Sequence, residues 1–468
     1  MASLRDTLRF LIEDFHVTVL PSVRQFLVRR DLSLGTPLEP RVGNLVKVVA
    51  GIRRCGKSFR VYQEILRLID EGVDRSRICY LNFDDDRLRP YPPDLVSQAL
   101  EVFFELHPDA RREGAYLFFD EIQEVPGWDV VARRIVDTEK VTMYCTGSSS
   151  KSFAEDIATE FRGRSVVYEM LPYSFAEFLR GEGVEVTPGA GIAPDAEAGA
   201  GGTAALDNKE FASRAHAAFS TYLARGGFPG VQGLDAPERV QTLQGYARLT
   251  VARDVVERNG YPNSAFVQGL ARSVVASTAR DFSIARAHNQ GQSSGYSPGR
   301  EAIGRMLDAF EDAHLAYGVF QFSRSIQRVR LGGFKVYAVD TGLFNAMSPA
   351  TTDGLTRALE TAVYLELRRR RLAGRAGEIS LLKLTSGREV DFVWGDELFG
   401  QAYSLVQVCL NMDDEKTRAR EFAALDEALA RFPDARALVI TLDELGSQRV
   451  EHGEVRILPA WRWMLGGE

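Results

Sequence analysis

Gly51-Ile52-Arg53-Arg54-Cys55-Gly56-Lys57-Ser58 is the stretch on which the reading of this chain turns. It has the spacing G-x-x-x-x-G-K-[ST], follows an apolar run at 45–50, and opens a helical pattern over 59–69 that begins with Phe59. A strand, a glycine-rich turn and a helix in that order make a phosphate cradle. The glycines let the main chain wrap the anion, and successive N–H groups at the helix start point at it. In such a cradle Lys57 reaches the β- and γ-phosphates and the Ser58 hydroxyl ligates Mg2+. Residues 51–59 are therefore expected to hold a nucleoside triphosphate. The stretch by itself leaves ATP and GTP open.

Outward from it, short apolar runs at 77–83, 115–120, 141–147 and 165–171 alternate with helical patterns. That alternation predicts an α/β fold with a parallel sheet covered on both faces. Such sheets bind ligands at the carboxyl ends of their strands, where the motif residues fall. Asp120-Glu121 ends the run at 115–120. Hydrolysis needs one acid to hold Mg2+ through its water shell and another to orient or deprotonate the attacking water. Asp120 is assigned the first task and Glu121 the second; a solvated turn is the plainer alternative. Thr146-Gly147-Ser148-Ser149-Ser150 follows the next run, and a hydroxyl there, Ser148 first, suits a γ-phosphate sensor or a helix cap. Arg162 and Arg164 precede the fifth run. One of them is a candidate arginine finger for a neighbouring copy, or both belong to a solvated turn.

Composition narrows the class. A chain of 468 residues suggests about three domains, and 45% apolar with 26% charged residues is an ordinary globular balance. The net charge of −7 means that any nucleic-acid contact must come from local basic surfaces. Cys55, Cys79, Cys145 and Cys409 show no metal or redox spacing, and the six histidines form no cluster. Both facts argue against a zinc enzyme and for reduced, buried thiols. No apolar run is long enough to span a bilayer and the start does not read as a signal peptide. A cytoplasmic protein without a membrane partner is expected.

The rest of the chain divides by pattern. Residues 1–44 read as a helical segment, 45–180 as the sheet domain, and 181–208 as a flexible Gly/Ala-rich insertion. Helices return over 209–263 around the turn Gly226-Gly227-Phe228-Pro229. Over 264–348, helices at 278–288 and 297–312 precede strands at 320–330 and 334–339, which is the winged-helix order. Residues 355–468 read as a further α/β domain. Basic side chains Arg286, Arg300 and Arg305 on the helices, with Arg324, Arg328, Arg330 and Lys335 on the hairpin, would neutralise phosphates of DNA.

The succession VVAGIRRCGKS, YLNFDDDRL, LFFDEIQEVPGW, CTGSSS, FRGRS, LPYSFAEF and YLARGGFPG resembles the prokaryotic AAA+-type P-loop ATPases of the ASCE class. Those with an uncharacterised C-terminal nuclease-like domain match further, in RLTVARDVVER, GGFKVYAVDTGLF, GREVDFVW and VRILPAWRWML. The chain is also similar to the signalling NTPases called STAND. The resemblance implies an AAA+-type core, a helical lid, a winged helix and a restriction-endonuclease-like domain. It implies ATP with Mg2+ as cofactor, and no guanine-reading N-K-x-D follows a strand. By the same analogy Gly227, Phe228 and Pro229 lie against the adenine. The nuclease-like metal site would use Glu366 or Glu360 on a helix and Asp391 on a strand. Gln407 and Cys409 stand where that family has Glu and Lys, so cleavage is expected to be lost. The function expected is an ATP-hydrolysing, DNA-associated remodeller or motor that acts as an oligomer. A STAND-like switch without DNA is one alternative and an ATP-gated nuclease the other.

Overall fold

The computed structural model describes residues 3–148, 161, 163–186, 208–293, 296, 298–323, 333–374, 377–396 and 401–467. Arg162, Arg324, Arg328 and Arg330, the side chain of Ser148, and residues 187–207 of the insertion lie outside the described residues. The chain divides into two compact units, Met1–Met170 and Leu171–Glu468.

In the first unit five strands form one sheet: β1 (Val46–Gly51), β2 (Ile78–Asn82), β3 (Ala115–Asp120), β4 (Val141–Ser148) and β5 (Ser165–Glu169). Their order is β2-β3-β4-β1-β5, and every neighbouring pair is parallel. β1 and β3 are buried along their whole length, which is why they read as unbroken apolar runs. Val46, Val48, Leu117, Phe119 and Met143 pack with Phe103 and Ile135 from the covering helices. The chain leaves β1 toward β2 on one side, while β5 lies on the other, so the carboxyl end of β1 is the point where the strand order reverses. Ligand crevices of such sheets form there.

The first 44 residues are helical only to Arg24, in the run Leu4–Asp14, Phe15–Val19 and Leu20–Arg24. Ser3 starts it with a capping box: its hydroxyl accepts the Asp6 N–H while the Asp6 carboxylate accepts the Ser3 N–H. Leu8 and Ile12 join the same core as the sheet, so this stretch is part of the first unit.

The second unit holds a three-stranded sheet and a six-stranded one. The small sheet has β6 (Arg280–Phe282), β7 (Ala316–Phe320) and β8 (Phe334–Ala338) in the order β6-β8-β7, all antiparallel. Helices Ser264–Ala276, Ile284–Ser293 and Arg300–Asp312 alternate with it. The helix expected over 278–288 is thus a strand followed by a later helix start. Ala279 has a positive φ of 56°, and the Ser283 hydroxyl accepts the Arg286 N–H, which starts the helix only there. The large sheet contains β9 (Ser380–Lys383), β10 (Glu389–Asp396), β11 (Gln401–Val408), β12 (Arg436–Thr441), β13 (Gly446–Val450) and β14 (Gly453–Pro459), in the order β13-β14-β12-β11-β10-β9. β13 escaped the sequence reading because it is an edge strand, exposed over its first four residues with no apolar alternation. Among the described residues no helix is long and apolar enough to cross a membrane.

The turn at Gly226-Gly227 is explained within this unit. A Cβ on Gly227 would lie 2.4 Å from the Tyr173 carbonyl oxygen. The Gly227 N–H donates to Asp340 Oδ2 at 2.6 Å, and the Leu343 N–H donates to Oδ1 at 2.8 Å. Burial pushes the Asp340 carboxyl up to about 6, against these main-chain donors, which hold it down. A carboxyl raised in the fold binds its proton more tightly there than in the unfolded chain. Its stabilising contribution is therefore complete at low pH and lost as pH rises through about 6. Asp340→Asn, neutral throughout, should gain on the parent by up to about 3 kcal/mol between about pH 4 and about pH 7. Denaturant titrations of both full chains, followed by circular dichroism, measure this. A stability gap that does not move with pH would refute it.

Candidate functional site

Gly56 ends the loop in a left-handed conformation, φ 100°, and Lys57 is the first residue of the helix Lys57–Asp70. A side chain at Gly56 would resist that φ, whereas glycine takes it at no steric cost. Lys57 is buried, and its Nζ donates to the Gly51 carbonyl at 3.0 Å and the Ile52 carbonyl at 3.4 Å. The same ammonium stands 3.8 Å from Glu121 Oε1. Phe59 is half exposed beside it, and Cys55 is fully buried with its thiol pushed up by desolvation.

Across the sheet, β3 ends at Asp120, whose carboxylate takes three hydroxyl donors. Oδ2 accepts from the Tyr80 phenol at 2.8 Å, Oδ1 accepts from Thr146, and the Ser58 hydroxyl bonds to the same group. Burial raises the Asp120 carboxyl, the Glu121 charge adds to this, and the three donors oppose both. Glu121 turns out of the strand with φ 51°. Its N–H donates to Thr146 Oγ1 at 3.0 Å, and its Oε2 accepts from Gln123 Nε2 at 2.6 Å. Thr146 therefore gives its proton to Asp120 and takes one from the Glu121 main chain, fixing the two acids relative to each other. Ser58 and Asp120 form a hard-oxygen pair of the type Mg2+ takes. Glu121, aimed by its turn toward Lys57, is the carboxylate left to work on water.

Two contributors were not visible in the sequence. Tyr80 donates to Asp120, bonds the Tyr62 hydroxyl at 3.0 Å, and is stacked on Phe15 with ring centroids 4.2 Å apart. Arg30 donates to the Cys55 carbonyl inside the loop at 2.8 Å. Thr146, in view in the sequence as part of the Thr146–Ser150 group, bonds both acids, whereas the side chain of Ser148, the first-named sensor candidate, lies outside the described residues.

The other expected residues separate. Arg164 pairs with Asp137 at 2.6 Å, and its carbonyl accepts the Val46 N–H at the opposite end of β1 from the loop. Within one chain it cannot serve the phosphates; any such role is to a neighbouring copy. Gly227 and Pro229 belong to the second unit, where Pro229 opens the short turn Pro229–Val231 and Phe228 is fully buried. Arg286 and Arg300 are exposed, whereas Arg305 is tied to Glu301 at 2.8 Å. Lys335, expected on the basic hairpin, is instead buried. Asp391 and Gln407 do meet: the Asp391 N–H donates to Gln407 Oε1 at 3.2 Å, and the Val408 N–H to Asp391 Oδ2 at 3.0 Å. Cys409 lies just past β11 against Met412, its thiol pushed up to about 12 by burial. Glu366 does not join them. It is held by Arg370 at 3.1 Å and Arg369 at 3.8 Å, and the helix acid on the Asp391 side is Glu360.

Residues 43–179 match the model of an AAA domain family. This segment is similar to an AAA-type P-loop domain. Residues 216–354 match a domain of unknown function. The chain is 28% identical over 435 residues to uncharacterised protein MJ1544 of Methanocaldococcus jannaschii, covering 91% of this chain and 89% of that one. An uncharacterised protein of Haemophilus influenzae is 24% identical over 367 residues, covering 78% and 84%. Among solved structures, the Walker-type ATPase PABY2304 of Pyrococcus abyssi is similar at 13% identity and a TM-score of 0.36, covering 70% of this chain and 94% of that one. The Aeropyrum pernix ORC1 protein in complex with DNA is similar at 14% identity and a TM-score of 0.27, covering 74% and 92%.

Proposed function

We propose that the P-loop of this AAA domain binds ATP with Mg2+ and hydrolyses it, and that hydrolysis drives work on DNA by an assembly of several copies. One observation carries the hydrolytic part: Ser58, Asp120, Thr146 and Glu121 form one hydrogen-bonded chain, with Glu121 3.8 Å from the Lys57 ammonium. Lys57 would exchange its two loop carbonyls for phosphate oxygens. Mg2+, when bound, would supply charge neutralisation between Ser58 and Asp120. Glu121, released from Lys57, would accept the proton of the attacking water.

The DNA part rests on the second unit. The order helix, β6, helix, helix, β7, β8 with a β6-β8-β7 sheet supports a winged-helix reading of this region. Arg286 and Arg300 are among its exposed basic residues in the described part. Asp391 and Gln407 on adjacent strands support a nuclease-like ancestry without cleavage, since a neutral amide is a poor Mg2+ ligand.

The test is the ATPase rate of the full chain with Mg2+, alone and with single-stranded or duplex DNA, at two salt concentrations. Stimulation that weakens as salt rises is expected, and Arg286→Glu with Arg300→Glu should lower the apparent DNA affinity by about tenfold or more. No ATP turnover with Mg2+ would sink the hydrolytic reading. Turnover indifferent to DNA would sink only the DNA part and leave a nucleotide-dependent switch.

A further inference from the structure

A cavity of about 430 Å3, within the range of small-molecule sites, lies on one face of the large sheet. Alternation and register bring its floor together. Trp394 of β10 stands opposite Ser404 of β11, and Ser404 opposite Arg436 of β12. One row on, Val406, Leu438 and Arg456 follow on β11, β12 and β14. Leu367 and Arg370, from the helix Gly354–Leu372, and Trp463, from the helix Ala460–Met464, line the other side. Gln407, next to Val406 in β11, belongs to the opposite face, so the cavity is separate from the Asp391–Gln407 pair.

Three arginines line this cavity. Arg370 is 5% exposed. Its Nε donates to Glu366 Oε1 at 3.1 Å and its Nη2 to the Trp463 carbonyl at 2.6 Å, and the guanidinium carbon lies 4.1 Å from the centre of the Trp463 ring. Those contacts fix the plane of the group, while Nη1 has no acceptor among the described residues. A guanidinium N–H held inside a fold without an acceptor is costly, and a ligand oxygen would relieve it. The Arg456 side chain is exposed and makes no ion pair or hydrogen bond among the described residues. Glu366 offsets Arg370, and Glu454 is the one acid among the described lining residues, so positive charge remains in excess.

Arginines grip phosphate and carboxylate oxygens through paired N–H donors, and three of them suit a dianion better than a single carboxylate. The floor between them is apolar, from Trp394, Val406 and Leu438. A bare ion would leave that floor wet, whereas a flat ring would cover it. We propose that this cavity binds a phosphate monoester carried on a flat ring, the chemistry of a nucleoside 5′-monophosphate. Arg370, Arg436 and Arg456 take the phosphate, with Arg370 Nη1 as the preset donor, and the ring lies over Trp394. The same group ends a 5′-phosphorylated nucleic-acid strand, and the two sources are separable.

The experiment uses the full chain carrying Lys57→Ala, which cripples the triphosphate loop, and isothermal titration calorimetry without Mg2+. The probes are the common ribonucleoside 5′-monophosphates, their nucleosides, inorganic phosphate, and a short DNA strand with and without a 5′-phosphate. At least one monophosphate is expected to bind about tenfold or more tighter than its nucleoside and than inorganic phosphate. Arg456→Glu should weaken that binding by about tenfold or more. It should melt as the parent does, since its side chain has no partner to lose. Ser404→Leu, which fills the floor without altering charge, should weaken the binding as well. If only the 5′-phosphorylated strand binds, with the same dependence on Arg456, the strand end is the source and the proposal stands. It falls if no phosphorylated probe binds, or if binding survives both Arg456→Glu and Ser404→Leu. An unphosphorylated counterpart bound as tightly overturns it too.

Discussion

Lys57→Ala is expected to lower ATP turnover by about 100- to 1,000-fold, the loss typical of removing one preorganised charge from a developing anion. The effect follows from burial. Lys57 is only 5% exposed, and its ammonium already points at the carbonyls that line the cradle. A triphosphate entering without it would meet main-chain N–H groups but no full positive charge. The fold should survive, because the sheet pairing of β1 with β4 and β5 does not involve this side chain. Initial rates with Mg2+, alongside binding of a fluorescent ATP analogue, separate the two effects. A rate within about tenfold of the parent would remove Lys57 from the assigned role.

Glu121→Gln should behave differently, keeping the nucleotide and losing the chemistry. The amide preserves shape and the reach to Gln123, but cannot take a proton from water. A fall of about 100- to 10,000-fold in kcat is expected, the usual weight of a positioned general base. Affinity should hold or improve, since the Lys57 ammonium no longer has a carboxylate 3.8 Å away competing with the phosphates. Single-turnover measurements with preloaded ATP show this directly. Equal kcat in variant and parent would mean that another group activates the water.

The two variants rest on residues that the sequence revealed early, and the reason is local. A cradle needs fixed spacing along one stretch of chain, so Gly51 to Ser58 declares itself without a partner. Asp120-Glu121 follows because a buried strand ends in two acids. What stayed hidden depends on distant partners. Lys335 alternates with apolar neighbours in Phe334–Ala338 as an exposed basic strand would, and only acids 25 and 56 positions onward show that it turns inward. Glu360 and Glu366 share one helix, Gly354–Leu372, but six residues rotate them to different faces. Arg369 and Arg370, which follow Glu366 on that helix, neutralise it.

Arg30 reaches the Cys55 carbonyl, Leu32 accepts from Arg60 Nε at 2.8 Å, and Leu34 and Thr36 both accept from Lys47 Nζ at 2.6 Å. A fragment excised at residue 43, where the family match begins, would strip Arg60 and Lys47 of these main-chain acceptors and take the Arg30 guanidinium away from the loop. Any shortened form of this unit therefore needs residues 30–36 in front of β1.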